Sequence, residues 1–217
     1  MITAVLALVA ALVATGVLAA RASANLSQCQ QFAAASKARA GHVTGSGERV
    51  VVIGDSWSAG LGLDRPVQSW PSRLPGRVHV AGFSGSGFSA KASACGRVSF
   101  ADRAPAALRD GADLVVVEGG LNDYDHSRAE IKAGFARVMR AASSYRVVVV
   151  GPATAPSRAA AVPRVDRLLR HLSAKYGVPY VSTTDLDLPY LEDRLHLTPA
   201  GHRAFGDAVA ERIAALG

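Results

Sequence analysis

A chain of 217 residues, 49% hydrophobic and carrying 21 glycines, can bury the core of one α/β domain and is too apolar for disorder. Its net charge of +7 rests almost wholly on arginine, with only four lysines. These cations are scattered, and no basic run is interleaved with aromatics as a nucleic-acid groove requires, which leaves Arg-rich composition, or an anionic envelope polymer or membrane surface as partner.

The chain opens on an apolar stretch, 2–20, that ends at Arg21. At about 1.5 Å per residue it would extend about 28 Å as a helix, close to the hydrocarbon thickness of a bilayer. The same stretch reads as a signal-peptide core ahead of an A-x-A pattern, Ala22-Ser23-Ala24. Residues 1–24 are therefore a cleaved signal or a retained anchor, and both readings stand. Arg21, Lys37, Arg39 and Arg49 beyond the span would keep the domain in the cytoplasm by a positive-inside count. The A-x-A site and two cysteines, Cys29 and Cys95, favour a secreted or cell-envelope protein, in which this pair would tie the N-terminal segment to the domain as a disulfide.

Residues 25–48 lack strong apolar periodicity and are expected to be a short helix and linker, with one domain over 49–217. Strands are predicted at Val50–Ile53, Arg77–Ala81, Leu114–Val117, Arg146–Val150 and Pro179–Ser182. Between them, Ile131, Phe135, Val138 and Met139 mark a helix over Ser127–Ser143, and Val165, Leu168, Leu169 and Leu172 mark another over Val162–Tyr176. A last helix runs over Pro199–Leu216, with Thr198 as N-cap and Pro199 at its first position. Apolar strands alternating with helices predict an α/β fold, a doubly wound, flavodoxin-like parallel sheet in three α/β/α layers.

In such a sheet ligands bind at the carboxyl ends of the strands, and four polar segments lie there: Gly54-Asp55-Ser56, GFSGSG from Gly82, GGLND from Gly119, and DRLHLTPAGH from Asp193. A serine hydroxyl needs a base, which His196 can supply, and the imidazole needs an orienting acid, for which Asp193 stands three residues away. The N–H groups of Ser56 and Gly85, with the amide of Asn122, are candidate donors to an oxyanion.

These four segments together resemble the SGNH (GDSL-type) hydrolase superfamily: GDS at Ser56, the glycine at Gly85, GxND at Asn122 and DxxH at Asp193 and His196. The resemblance runs in the family's order over residues 49 to about 212. It implies the three-layer fold and a cofactor-free, metal-free serine esterase, thioesterase, carbohydrate deacylase or acyltransferase. Trp57 departs from the family's usual leucine, and the segment before Phe83 lacks the asparagine of many members. The α/β-hydrolase elbow is not matched, because Ser58 stands where its last glycine would be.

Asp55 and Asp123 read as structural buttresses, His202 as a surface or loop-packing residue, and His79 as a core or edge residue of its strand. No Cys/His/Asp cluster has metal-ligand spacing. Trp57, Phe83, Phe88 and Tyr124 flank the motifs as candidate walls of an acyl pocket. Connections between motifs and strands read as short, without a lid, which points to an open cleft for a short acyl group. Two functional classes remain: an ester hydrolase or acyltransferase acting on a small-molecule, glycan or lipid ester through Ser56, and a non-catalytic envelope-binding protein on the same fold.

Overall fold

The valine-rich runs become the strands of one parallel sheet. These are β1 (Arg49–Gly54), β2 (Arg77–Gly82), β3 (Leu114–Glu118), β4 (Arg146–Val150) and β5 (Tyr180–Val181), in the order β2-β1-β3-β4-β5. This is the expected doubly wound arrangement. Its strand order reverses at β1, so the chain leaves β1 and β3 towards opposite faces and opens a crevice between them. The computed structural model describes residues 26–216. The apolar stretch 2–20 lies outside them, and none of the described helices is long and apolar enough to cross a membrane.

Period-two geometry sends alternate strand residues to opposite faces. Val50, Val52, Val78, Val80 and Val116 meet Trp70, Phe205 and Val209 on one side. Val51, Ile53, Val115, Val117 and Val149 meet Phe100, Phe135, Val138 and Leu169 on the other. The first face is covered by α6 (Pro199–Ala214) and a 3-10 turn, Trp70–Arg73; the second by α3 (Phe100–Ala107), α4 (Arg128–Ala141) and α5 (Val162–Tyr176). Between β1 and the Trp70–Arg73 turn lies a one-turn helix, α2 (Ser56–Ala59).

Several expectations are corrected here. The helix expected within residues 25–48 is present and longer than expected: 26–40 form α1, and Thr44 pairs with Val78 in an antiparallel bridge at the β2 edge. Beside the Phe32 ring on Phe83, α1 is seated by a buried polar contact, which adds nothing to an apolar stripe. Arg39, fully buried, donates to Ser69 Oγ at 3.0 Å, to the His42 carbonyl at 2.8 Å and to Ser72 Oγ at 3.2 Å; burial lowers its pKa to about 10. Cys29 on α1 is bonded to Cys95, across a sequence separation of 66. Helix α3 is absent from the predicted elements because Pro105 lies inside it, although its Ser99/Asp102 capping box is readable in sequence. β5 is shorter than expected because Pro179 has no N–H to pair, while its carbonyl still accepts from Val149. Phe83 to Ser99, expected to be a short connection, is a long segment without helix or strand.

Candidate active site

Ser56 is the first residue of α2 and stands at the β1 tip because two devices turn the chain there. Asp55 caps the helical turn, its Oδ1 accepting the Trp57 N–H at 2.9 Å, and Gly60 ends the turn in the left-handed region at φ 79°. Ser56 is 6% exposed, and its Oγ lies 3.1 Å from His196 Nε2. His196 Nδ1 lies 2.5 Å from Asp193 Oδ2. Asp193 Oδ1 also accepts the N–H groups of Leu195 and His196, both at 2.9 Å, so one carboxylate shapes the turn and orients the ring. Arg194 inside this turn adopts φ 57°, the one left-handed non-glycine among the described residues.

Charge favours this polarity. Burial pushes Asp193 upward, but the hydrogen bonds from the His196 side chain and from the His196 and Leu195 N–H groups outweigh it and hold the carboxyl below its usual range. Asp193 is thus an anion facing an imidazole N–H, which presents Nε2 to the serine as an acceptor.

The opposite wall comes from β2 and β3. Gly85 sits at φ 79°. A Cβ there would meet only Ser93 Oγ, at 3.9 Å, so glycine is required by backbone conformation and not by lack of room. Among the described residues, neither the Ser56 N–H nor the Gly85 N–H finds an internal acceptor. Asn122 Nδ2 donates to the Ser86 carbonyl at 2.9 Å and makes a long contact of 3.4 Å to Asp55 Oδ2. One amide hydrogen is firmly engaged and orients the group; the other is weakly held.

Below this surface lie three buried carboxyls. Burial raises Asp55 to about 6, against the Trp57 N–H and the nearby His196, and raises Asp123 to about 6, against N–H bonds from Ser89 at 2.7 Å and Phe88 at 2.9 Å. Burial, with Asp55 close by, pushes Glu118 well above the carboxylate range. Glu118 Oε2 accepts from Ser58 Oγ at 2.8 Å and Trp70 Nε1 at 3.3 Å, and Trp70 Nε1 also donates to Ser58 Oγ at 3.1 Å. Gly54 must be glycine here, since a Cβ would collide with Ser58 Oγ. Among the described residues no group of three His, Cys, Asp or Glu side chains converges as a metal site would.

The sequence profile of the GDSL-like lipase/acylhydrolase family matches residues 52–204. The chain belongs to that family. Membership makes it an SGNH/GDSL-type hydrolase acting on ester bonds, and the fold agrees. The inhibitor-bound aryl esterase of M. smegmatis superposes with a TM-score of 0.67 at 18% identity, covering 79% of this chain and 100% of that one. A carbohydrate acetylesterase from Sinorhizobium meliloti gives 0.65 at 21% identity, with 79% and 100% covered. A family two carbohydrate esterase from Clostridium thermocellum, in complex with cellohexaose, gives 0.62 at 16% identity, with 80% and 65% covered. No functionally curated protein matches the sequence.

The four aromatics expected as pocket walls in this GDSL-family chain have different surroundings. Trp57 is 1% exposed, packs edge-on against Phe205 and donates from Nε1 to the Leu195 carbonyl at 3.1 Å. Phe88 is fully buried between Phe100 and Phe135. Phe83 is buried under Phe32 of α1. Trp57 and Phe88 line no open cleft, whereas Phe83 lines one between α1 and α3 with Ala33, Ala81 and Arg103; of the four only Tyr124 is exposed, and the Arg158 guanidinium lies over its ring. His202 is not at the surface either. It is fully buried, its Nδ1 accepts from the Trp70 N–H at 3.3 Å, and burial, then the nearby His196, lowers its pKa to about 4. The packing of Gly206 against Trp70 brings α6 close enough to enclose it.

Motif reading alone misses Arg103. Its guanidinium gathers the Gly54 carbonyl at 2.8 Å, Ser86 Oγ at 2.9 Å, the Val98 carbonyl at 2.9 Å and the Ala81 carbonyl. It thereby ties the β1 tip to the Gly85 loop. It lies on α3, whose capping box is the available signal.

Proposed function

We propose that this GDSL-family protein hydrolyses a short-chain ester through an acyl-serine on Ser56. The observation that carries the reading is the continuous hydrogen-bonded line from Ser56 Oγ through His196 to Asp193. Ser56 Oγ attacks the carbonyl carbon while His196 Nε2 takes its proton. The oxyanion is held by the N–H groups of Ser56 and Gly85 and by Asn122, whose weakly held hydrogen turns from Asp55 to the substrate. Collapse expels the alcohol, protonated by His196. His196 then deprotonates water, which attacks the acyl-serine and releases the acid.

The Asp193 side chain is 48% exposed and that of His196 16%, so the base is open to the water that the second step of hydrolysis needs. Burial of Trp57 and Phe88 removes two rings beside the motifs from contact with a long chain, which favours acetyl-sized groups on a small or carbohydrate alcohol. The Cys29–Cys95 disulfide supports an extracytoplasmic site of action. The test is p-nitrophenyl acetate turnover by the wild type and Ser56→Ala. A loss of at least about a thousandfold is expected, together with loss of fluorophosphonate labelling. Equal rates would overturn the assignment of Ser56 as the nucleophile.

A further inference from the structure

Tyr124 stands two residues beyond Asn122, and the Arg158 guanidinium carbon lies 3.7 Å from its ring centroid. Arg158 closes the 3-10 turn Pro156–Arg158 that comes after β4. The N–H of its neighbour Ser157 donates to the Arg194 carbonyl at 3.0 Å, inside the turn that carries Asp193 and His196. The stack therefore bridges the loop of the proposed oxyanion donor and the turn of the proposed base. Its tyrosine end is braced as well, since Arg164 donates to the Tyr124 carbonyl at 2.8 Å and to the His126 carbonyl at 3.1 Å.

The charge on Arg158 is not answered within the protein. Among the described residues, neither Arg158 nor the exposed Arg194 has a carboxylate at ion-pairing distance. Exposed Asp125 and Glu192 lie close by in sequence, but Asp125 faces His126 at 3.6 Å. Arg158 Nε is shut off from solvent without a hydrogen-bond partner, and Nη1 reaches only the Ser157 carbonyl at a long 3.5 Å. A guanidinium whose face is covered by an aromatic ring keeps its edge for an in-plane, two-point partner, and a carboxylate fits that edge.

We propose that Arg158, mounted on Tyr124 beside the His196 turn, is a specificity-determining residue that binds a carboxylate on the alcohol portion of the ester. The preferred substrates are then esters of carboxylate-bearing alcohols. The placement rests on the acyl-serine reading: His196 must protonate the departing oxygen, so the alcohol lies on the side of its turn, where Arg158 is tethered.

The experiment compares 4-acetoxybenzoate with neutral 4-acetoxybenzamide in the wild type, Arg158→Gln, Arg158→Lys and Tyr124→Ala. In the wild type kcat/KM is expected to favour the anion by about tenfold, mostly through KM, as one charged hydrogen-bonded contact would supply. That ratio falls to about one in Arg158→Gln and Tyr124→Ala and is only partly kept in Arg158→Lys. Reading a ratio within each variant cancels general loss of activity. Equilibrium binding of 4-hydroxybenzoate and 4-hydroxybenzamide to Ser56→Ala, with and without Arg158→Gln, reads the same preference without turnover. Failure of hydrolysis in every variant would sink the acyl-serine reading alone. Equal affinity for the two phenols, or a preference that survives Arg158→Gln, would overturn the Arg158 assignment whether or not esters are cleaved.

Discussion

At the scale of single residues, the site separates groups that act on the substrate from groups that hold them. Asn122 is the clearest test, because its amide is anchored on the Ser86 carbonyl at 2.9 Å while its second contact is long. Asn122→Ala is expected to lower kcat by about a hundredfold with little change in KM, as loss of an oxyanion donor does. A change confined to KM would instead make it a substrate-binding group. Asp193→Asn keeps an acceptor for the turn but removes the anion facing His196, and kcat is expected to fall by at least about a hundredfold. Steady-state kinetics at neutral pH read both, with melting curves to show that each variant is folded.

At the scale of elements, a helical turn of four residues has little stability of its own and is kept in place by what lies under it. Glu118, Ser58 and Trp70 form that support, and burial pushes the Glu118 carboxyl well above its usual range. Glu118→Gln, a neutral isostere, is expected to cost less than about 1 kcal/mol, whereas Glu118→Ala leaves the Ser58 hydroxyl without its acceptor, opens a cavity and is expected to cost about 2–3 kcal/mol, read by urea denaturation. A large loss in the glutamine variant would mean that the carboxyl works as an anion. Period-two and 3.6-residue patterns make the strands and α4, α5 and α6 readable, because each buries an apolar face. Helix α1 is less readable because part of its docking runs through Arg39 and a disulfide, and α3 because proline masks a helix whose cap is nonetheless written in Ser99 and Asp102.

For the molecule as a whole, one long-range bond and three buried titratable groups shape the response to redox and pH. The Cys29–Cys95 bond closes a loop across a sequence separation of 66, worth about 4 kcal/mol in the chain-entropy view. Reduction is expected to lower Tm by about 10 °C, and an unchanged Tm would show that the bond carries no stability. His202 titrates at about 4 in the folded chain and near the ordinary imidazole value of 6.5 when unfolded. Between these values the unfolded chain binds the extra proton, so acidification through this window costs stability and the loss levels off below it. Asp55 and Asp123, raised to about 6, act in the opposite sense: their contribution is present at low pH and fades as pH rises through about 6. Comparing wild type with His202→Asn isolates the histidine. The variant is expected to lose less stability between pH 7 and pH 5, and identical slopes would remove His202 from the account.

The α/β class, the family, and the strand-end positions of Ser56, Gly85, Asn122, Asp193 and His196 are legible in the amino-acid sequence, because local periodicity and short motifs encode where strands stop. Tertiary structure decided which neighbours are buried and which are free. Trp57 and Phe88 lie beside motifs yet pack into the core, since the crowding of α6 on the Trp70 turn and of α4 on the Gly85 loop involves residues far apart in the chain. The same holds for Arg103, Glu118 and the Arg158–Tyr124 stack, whose partners come from different strands' loops. A charge or a ring carries no sign in sequence of what will cover it.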